Sequence, residues 1–447
     1  MTGQFYLSCL FLGSMSVVAF GADAPVSFRG DIAPILQDSC LACHGAKKAE
    51  GGYRVDNYEE LFKAGDSGEV PISENANDPS ELVRRIVCED EFERMPAESD
   101  PLTGEQIAMF KRWVAEGAKF DGEDPTQELA LVIPPPTYAP PPEHYSHPIP
   151  ITAVSFSLDG KQIISAGYHE LTVWNIEHGA LIRRIPNVGQ RVFAVSFSPD
   201  GKTLAVGCGE PGKSGEVRLV DYATGEVKGV VSRTSDVVLD IAFRPGTSEL
   251  AVASADSSIR IVDTQTMKEL RTIVSHADWV TSVAWSDDGK MLASSSRDKS
   301  AKVYDGASGD LVSSYLGHKD IVRGVNILPD NKQVVSVGAD KKLHRWNIAD
   351  NKKVAEVGLG SDGNKIVRQG DDVFVPCSDT RLLGIDLKSN KVVKEFKGHT
   401  NWVLSITPQP GVSDPAGQLL ASGSFDGEVK LWKVADASPV RSWTAKP

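Results

Sequence analysis

From about residue 149 onward the chain alternates short apolar and polar runs bounded by turn-forming clusters. The run Ala194-Val195-Ser196-Phe197 passes through Ser198-Pro199-Asp200-Gly201 into Thr203-Leu204-Ala205-Val206, a pattern that predicts two strands joined by a tight turn. Aligning one aromatic or aliphatic anchor from each third strand gives Trp174, Val220, Val262, Tyr304, Trp346, Ile385 and Trp432, at intervals of 46, 42, 42, 42, 39 and 47 residues. Short strands at that period, without helical periodicity, predict an all-β seven-bladed propeller over 149–447. The run Pro439-Val440-Arg441-Ser442-Trp443 is expected to close the last blade, with Glu128–Ile133 as the other candidate closing strand.

Ahead of the repeats the period changes. Ile35 and Leu36, then Ile107, Phe110, Trp113 and Val114, fit the apolar faces of two helices in the segment 22–122. Residues 123–148 carry Pro134-Pro135-Pro136 and Pro140-Pro141-Pro142, the composition of a stiff linker with little capacity for a core.

The helical segment contains Cys40-Leu41-Ala42-Cys43-His44. C-x-x-C-H is the pattern of covalent haem attachment: two thiols become thioethers and the adjacent imidazole becomes an axial iron ligand. A zinc half-site or a redox dithiol would also use the two cysteines, but tetrahedral zinc needs a second ligand pair, and nearby there is only Cys88. No other histidine lies between His44 and Gly122, so the second axial ligand falls to a methionine. Met109 sits in the amphipathic run 104–114, where methionine usually fills a core. Met95 sits in a pre-helical loop, and Pro96 biases its backbone toward an extended form suited to cover the distal haem face. An open sixth position is the remaining option. His/Met ligation raises the reduction potential, which suits electron transfer better than oxygen chemistry.

Val26-Ser27-Phe28-Arg29-Gly30-Asp31-Ile32-Ala33-Pro34-Ile35-Leu36, running into Cys40, resembles the opening of the planctomycete-type cytochrome c domain. Ser80–Ile86, Arg94-Met95-Pro96, Leu102-Thr103 and the Lys111-Arg112-Trp113 helix continue the resemblance to about residue 122. It implies a small all-α domain over 22–122 with one covalently bound haem c per chain, attached at Cys40 and Cys43 and ligated by His44 and Met95. Ala97 departs from the family, which often has a second proline there. Arg94 is either a partner for a haem propionate or a solvated surface arginine.

The repeats resemble a WD-repeat propeller. Asn175, Asp221, Asp263, Asp305, Asn347 and Asp386 follow the third-strand anchors, while Lys433 departs from that pattern. Gly317-His318 and Gly398-His399 match the family's Gly-His. Its buried polar network carries over as His318, Ser336, Asp340 and Trp346, then as His399, Ser422, Asp426 and Trp432. The fourth unit has His276, Ser294 and Asp298, with Tyr304 in place of tryptophan. A grouping that recurs once per blade is architecture rather than catalysis. His169, His178 and His344 fall outside it and are expected at the surface.

The chain has 447 residues, enough for two or three domains, and a formal net charge of −13 that argues against nucleic acid as a partner. Phe5 to Phe20 is a mostly apolar run, short for a membrane span, ending in the small-x-small site Ala19-Phe20-Gly21. It predicts an export signal over 1–21, cleaved after Gly21, and a periplasmic or cell-envelope location, with an uncleaved anchor as the alternative. Cys88, Cys208 and Cys377 are expected to be free, buried and apolar in character.

These features predict an exported monohaem cytochrome that transfers single electrons, with the propeller as a protein-docking platform. The expected partners are a redox protein and a propeller-bound protein, with peripheral membrane association open and no small-molecule substrate evident. The alternative is an oxidoreductase whose propeller hosts a catalytic site fed by the cytochrome domain. No catalytic residue emerges from the propeller.

Overall fold

The computed structural model describes residues 24–46, 48–73, 80–97, 99–412 and 417–446. The segment read as an export signal lies outside the described residues. Among the described residues no helix is long and apolar enough to cross a membrane. The chain divides into two compact units, 1–133 and 134–447.

The first unit is helical. Ser27 caps a π-helical turn at Phe28–Ile32 by accepting the Gly30 amide, and the turn runs into α1 (Ala33–Ser39). Phe28, Ile32, Ile35 and Leu36 face inward from these two elements. Short helix α2 (Glu81–Ile86) precedes α3 (Gly104–Ala115). A capping box starts α3: the Thr103 hydroxyl accepts from the Gln106 amide at 3.2 Å, and the Gln106 side chain accepts from the Thr103 amide at 2.9 Å. Phe110, Trp113 and Val114 then fall on one face and are buried. Trp113 packs on Phe28 with ring centroids 5.5 Å apart, and Tyr58 lies 5.1 Å from the same phenyl ring.

The predicted linker 123–148 is divided between the two units. Leu129–Val132 form a helical turn, α4, that buries Leu129 and Val132 in the first unit, so Glu128–Ile133 contribute no propeller strand. Beyond Pro134 the proline-rich run belongs to the second unit. The Arg218 guanidinium donates to the Pro136 carbonyl at 2.9 Å and lies 4.9 Å from the centre of the Tyr138 ring. Arg184 donates to the Pro142 carbonyl at 2.8 Å. The arginines that pin this run are far away in sequence, so composition alone reads it as a stiff linker.

The second unit is a β-propeller of five four-stranded antiparallel sheets and one seven-stranded sheet. The larger sheet comprises β1 (Val154–Phe156), β2 (Gln162–Ala166), β3 (Tyr168–Asn175), β4 (Leu181–Phe197), β5 (Thr203–Glu210), β6 (Ser214–Asp221) and β7 (Val227–Thr234). Its central strand β4 spans 17 residues. Leu181 to Pro186 pair with β3, and Val192 to Phe197 pair with β5. The strand Pro439–Thr444 completes the last sheet, as its pattern predicts. First and last sheets join where the Ile151 amide donates to the Ser424 carbonyl at 3.0 Å and Trp174 packs 6.1 Å from Trp443.

The seven third-strand anchors are all buried. Each is preceded by a register shift against its outer neighbour, between Val173/Trp174, Leu219/Val220, Ile261/Val262, Val303/Tyr304, Arg345/Trp346, Gly384/Ile385 and Leu431/Trp432. A bulge there turns the anchor toward the neighbouring sheet. The turns also repeat: Ser157, Ser198 and Ser286 donate to Asp159, Asp200 and Asp288, whose carboxylates accept the amides of Lys161, Lys202 and Lys290. The glycine after each aspartate has φ of 67°, 70° and 67°, a conformation that a Cβ would oppose.

Several polar side chains are buried with partners. His276 Nδ1 donates to Asp298 at 2.8 Å and its Nε2 accepts from Ser294 at 2.6 Å; His318 repeats this with Asp340 and Ser336, both at 2.8 Å. The third grouping differs from its expectation. His399 bonds Ser422, but Asp426 accepts from Thr400 instead. His178 is exposed, whereas His344 is buried, stacked on His318 at 4.0 Å and bonded through Nδ1 to the Tyr315 hydroxyl at 3.0 Å.

Burial, with the charge of His318, holds His344 down at about 4, and burial also lowers His276. These imidazoles are neutral in the fold and protonate first in the unfolded chain, near 6.5. Their stabilisation is therefore complete above about pH 6.5 and lost as pH falls below it, for His344 toward about 4. Bonds to histidine keep Asp298 and Asp340 below the usual carboxylate range in spite of burial, which adds a further loss only below about pH 4. The urea midpoint of the full chain, followed by far-ultraviolet circular dichroism, should fall between about pH 6.5 and 4. His344→Gln should remove a share of that slope on the order of 3 kcal/mol, and an unchanged slope would contradict the assignment.

Candidate functional site

The C-x-x-C-H segment leaves α1 as a tight turn, with the Cys43 and His44 amides donating to the Cys40 carbonyl at 3.2 and 3.0 Å. The chain then folds back so that the Val55 amide donates to the His44 carbonyl at 2.8 Å. Gly65 lets the next loop cross closely: the Asp66 amide reaches the Gly51 carbonyl at 2.7 Å, and a Cβ on Gly65 would stand 2.4 Å from that oxygen. His44 Nδ1 lies 3.3 Å from the Tyr53 carbonyl. A carbonyl only accepts, so Nδ1 carries the hydrogen and Nε2 keeps its lone pair.

Met95 comes from the other side of the unit. Its amide donates to the Arg85 carbonyl at 3.1 Å, at the end of α2. Arg84 bonds Glu81 and Glu93 at 2.7 and 2.8 Å, and Arg85 bonds Glu81 at 2.7 Å, which ties the 90–95 loop to that helix. The Arg84 hydrogen bond, with Arg85 behind it, holds the Glu81 carboxyl down at about 2. The Met95–Pro96 peptide is cis.

Two adjoining cavities of about 320 and 1040 Å³ meet on Cys40, His44, Glu50 and Met95, the size range of small-molecule and cofactor sites. The smaller has apolar walls of Tyr53, Val55, Leu82 and Ile86; Cys43 and Arg94 line the larger. Met109 lines neither and packs against the core from α3. Cys88 also lies outside both linings, so the zinc reading gains no further ligand from it. Burial, reinforced by the neighbouring Cys43, pushes the Cys40 thiol up to about 12, the opposite of the activated thiol that a redox dithiol requires. Arg94 is half-buried, and its Nε is enclosed without a hydrogen-bond partner.

The donor set fits haem: an imidazole with a free nitrogen, a thioether, two thiols at the edge, apolar walls and an unsatisfied guanidinium atom suited to a carboxylate. Sequence reasoning brought Cys40, Cys43, His44 and Met95 to this cavity. It gave no role to Tyr53, Glu81 or Arg85. Gly51-Gly52-Tyr53 was a usable signal, because paired glycines just beyond a ligand mark a close backbone return.

Two families match this chain. The one described as Planctomycete cytochrome C matches residues 40–99. The one described as WD domain, G-beta repeat matches 182–221, 267–305, 309–347 and 390–433. Among curated proteins the chain is similar to the human "WD repeat and HMG-box DNA-binding protein 1", 32% identical over 85 residues, and to its mouse counterpart, 33% over 81 residues. These alignments cover 19% and 18% of this chain but only 7% and 6% of the relatives, so the likeness extends to a small part of either protein. Residues 40–99 belong to the planctomycete cytochrome c family and 182–433 carry WD repeats, so this chain is a cytochrome c domain fused to a WD-repeat propeller.

Proposed function

We propose that the helical unit is a monohaem c-type cytochrome that passes single electrons, and that the propeller docks partner proteins. The observation that carries this reading is the meeting of His44 and Met95 on one cavity with Cys40 at its edge. Haem, when bound, supplies a one-electron ferric/ferrous couple. Cys40 and Cys43 supply the thioether sulfurs. Tyr53 fixes the His44 tautomer, so that Nε2 is offered to iron in one orientation. Met95 offers a soft sulfur from a loop anchored on Arg85. Tyr53, Val55, Leu82 and Ile86 exclude water, and Arg94 is placed for a propionate. If His44 and Met95 both bound the iron, no position would be left for a substrate, which would favour electron transfer over oxygen chemistry.

The propeller is read as seven-bladed. The two halves of β4 make separate pairings, and the anchor and its bulge recur seven times, so the seven-stranded sheet counts as two blades sharing a strand. Its proposed partners are a redox protein and a second docked protein. The apolar N-terminal run and its small-x-small site support export to the periplasm or cell envelope, where peripheral membrane association is compatible with the fold.

Replacing both thiols, Cys40→Ser with Cys43→Ser, should abolish haem staining after denaturing electrophoresis. Covalent haem persisting in that variant would refute the attachment.

Met95→Leu should keep the haem attached but remove the sulfur-to-iron charge-transfer absorbance. Its reduction potential should fall by on the order of 0.1 V, part of the roughly 0.8 V that axial ligands span. Met109→Leu, a volume-conserving swap against the core, should do neither. The reverse outcome would assign the ligand to α3.

A further inference from the structure

The polar grouping shared by three blades changes character in the last one. His276 and His318 are bonded at both ring nitrogens. His399 keeps only the Nε2 contact, 2.7 Å from Ser422 Oγ, which also accepts from Trp432 Nε1 at 2.8 Å. Asp426, the counterpart of Asp298 and Asp340, accepts from the Thr400 hydroxyl at 2.5 Å. Ala277 and Lys319 hold the place of Thr400 in the other blades and have no hydroxyl to offer. His399 Nδ1 is left without a hydrogen-bond partner, in a residue only 6% exposed.

Glu428 occupies the place of Ser300 and Lys342. Its Oε2 stands 3.7 Å from His399 Nδ1, too far for a hydrogen bond, while Lys430 holds Oε1 at 2.6 Å. Ligand atoms of His399, Asp426 and Glu428 all lie within 4.8 Å of one another. A buried nitrogen lacking a proton partner, faced by two carboxylates, is the donor set of a cation site.

We propose that His399 Nδ1, Asp426 and Glu428 bind a divalent transition-metal ion, with water completing the coordination. One imidazole with two carboxylates suits Zn²⁺ or Mn²⁺. Ser422 Oγ has lone pairs for both the Trp432 and the His399 Nε2 hydrogens, and the tautomer with its hydrogen on Nε2 leaves Nδ1 bare. The two carboxylates outweigh the Lys430 charge and leave the cluster net negative. Both acids are half-exposed and give an ion a way in. Among the described residues one other close grouping, His318, Asp340 and His344, differs in its donors: both nitrogens of His318 are occupied, Asp340 is bonded to it, and the unpartnered Nε2 of His344 faces Glu356 at 3.3 Å.

The test uses untagged, haem-loaded full-length protein stripped with a chelator and dialysed against ZnCl₂ at pH 7.5, with zinc and haem iron counted separately by mass spectrometry. Wild type should take up one saturable Zn²⁺ per chain, and its thermal midpoint should rise with zinc. Glu428→Gln and Asp426→Asn should each weaken uptake at least tenfold and lose the thermal shift, while His344→Gln leaves both unchanged. These carboxylates are half-exposed, so their amide variants remain folded and informative where truncating His399 would disturb Ser422 and Trp432. No saturable zinc in wild type, or equal uptake by the two carboxylate variants, overturns the proposal.

Discussion

The helical unit depends on holding two short loops against one cavity from different sides. One loop is fixed by the His44 ring on the Tyr53 carbonyl, the other by the Met95 amide on the Arg85 carbonyl. Both anchors use backbone oxygens, which fix the direction of a side chain without depending on the identity of a distant one. The aromatic cluster of Phe28, Tyr58 and Trp113 lies behind them and supplies the rigid core on which two otherwise irregular loops keep their places.

The propeller meets a different demand. Its sheets are mostly aliphatic and aromatic inside, yet His276, His318, His344 and His399 are buried among them. Such groups are tolerated when every donor and acceptor is matched, and they then specify one register. His276 and His318 meet that condition. His399 does not, and two carboxylates stand beside the nitrogen it leaves unmatched.

Features written as local period or spacing were legible in the chain. The anchors from Trp174 to Trp432 are buried in the places their intervals indicate, and the Cys40–His44 motif and Met95 share a cavity. What escaped depended on partners distant in sequence. His344 reads as a lone surface histidine until Tyr315 and His318 close over it. The proline run reads as a stiff linker until Arg184 and Arg218 reach its carbonyls. Asp426 repeats the family position, yet one hydroxyl on Thr400 redirects its hydrogen bond. None of these leaves a periodic trace.

The shared strand β4 has a mechanical consequence. Elsewhere neighbouring sheets are joined by loops, side-chain packing and single hydrogen bonds, but here an unbroken run of backbone passes from one ladder into the next. Torque applied to one of these sheets is transmitted through peptide bonds to its neighbour.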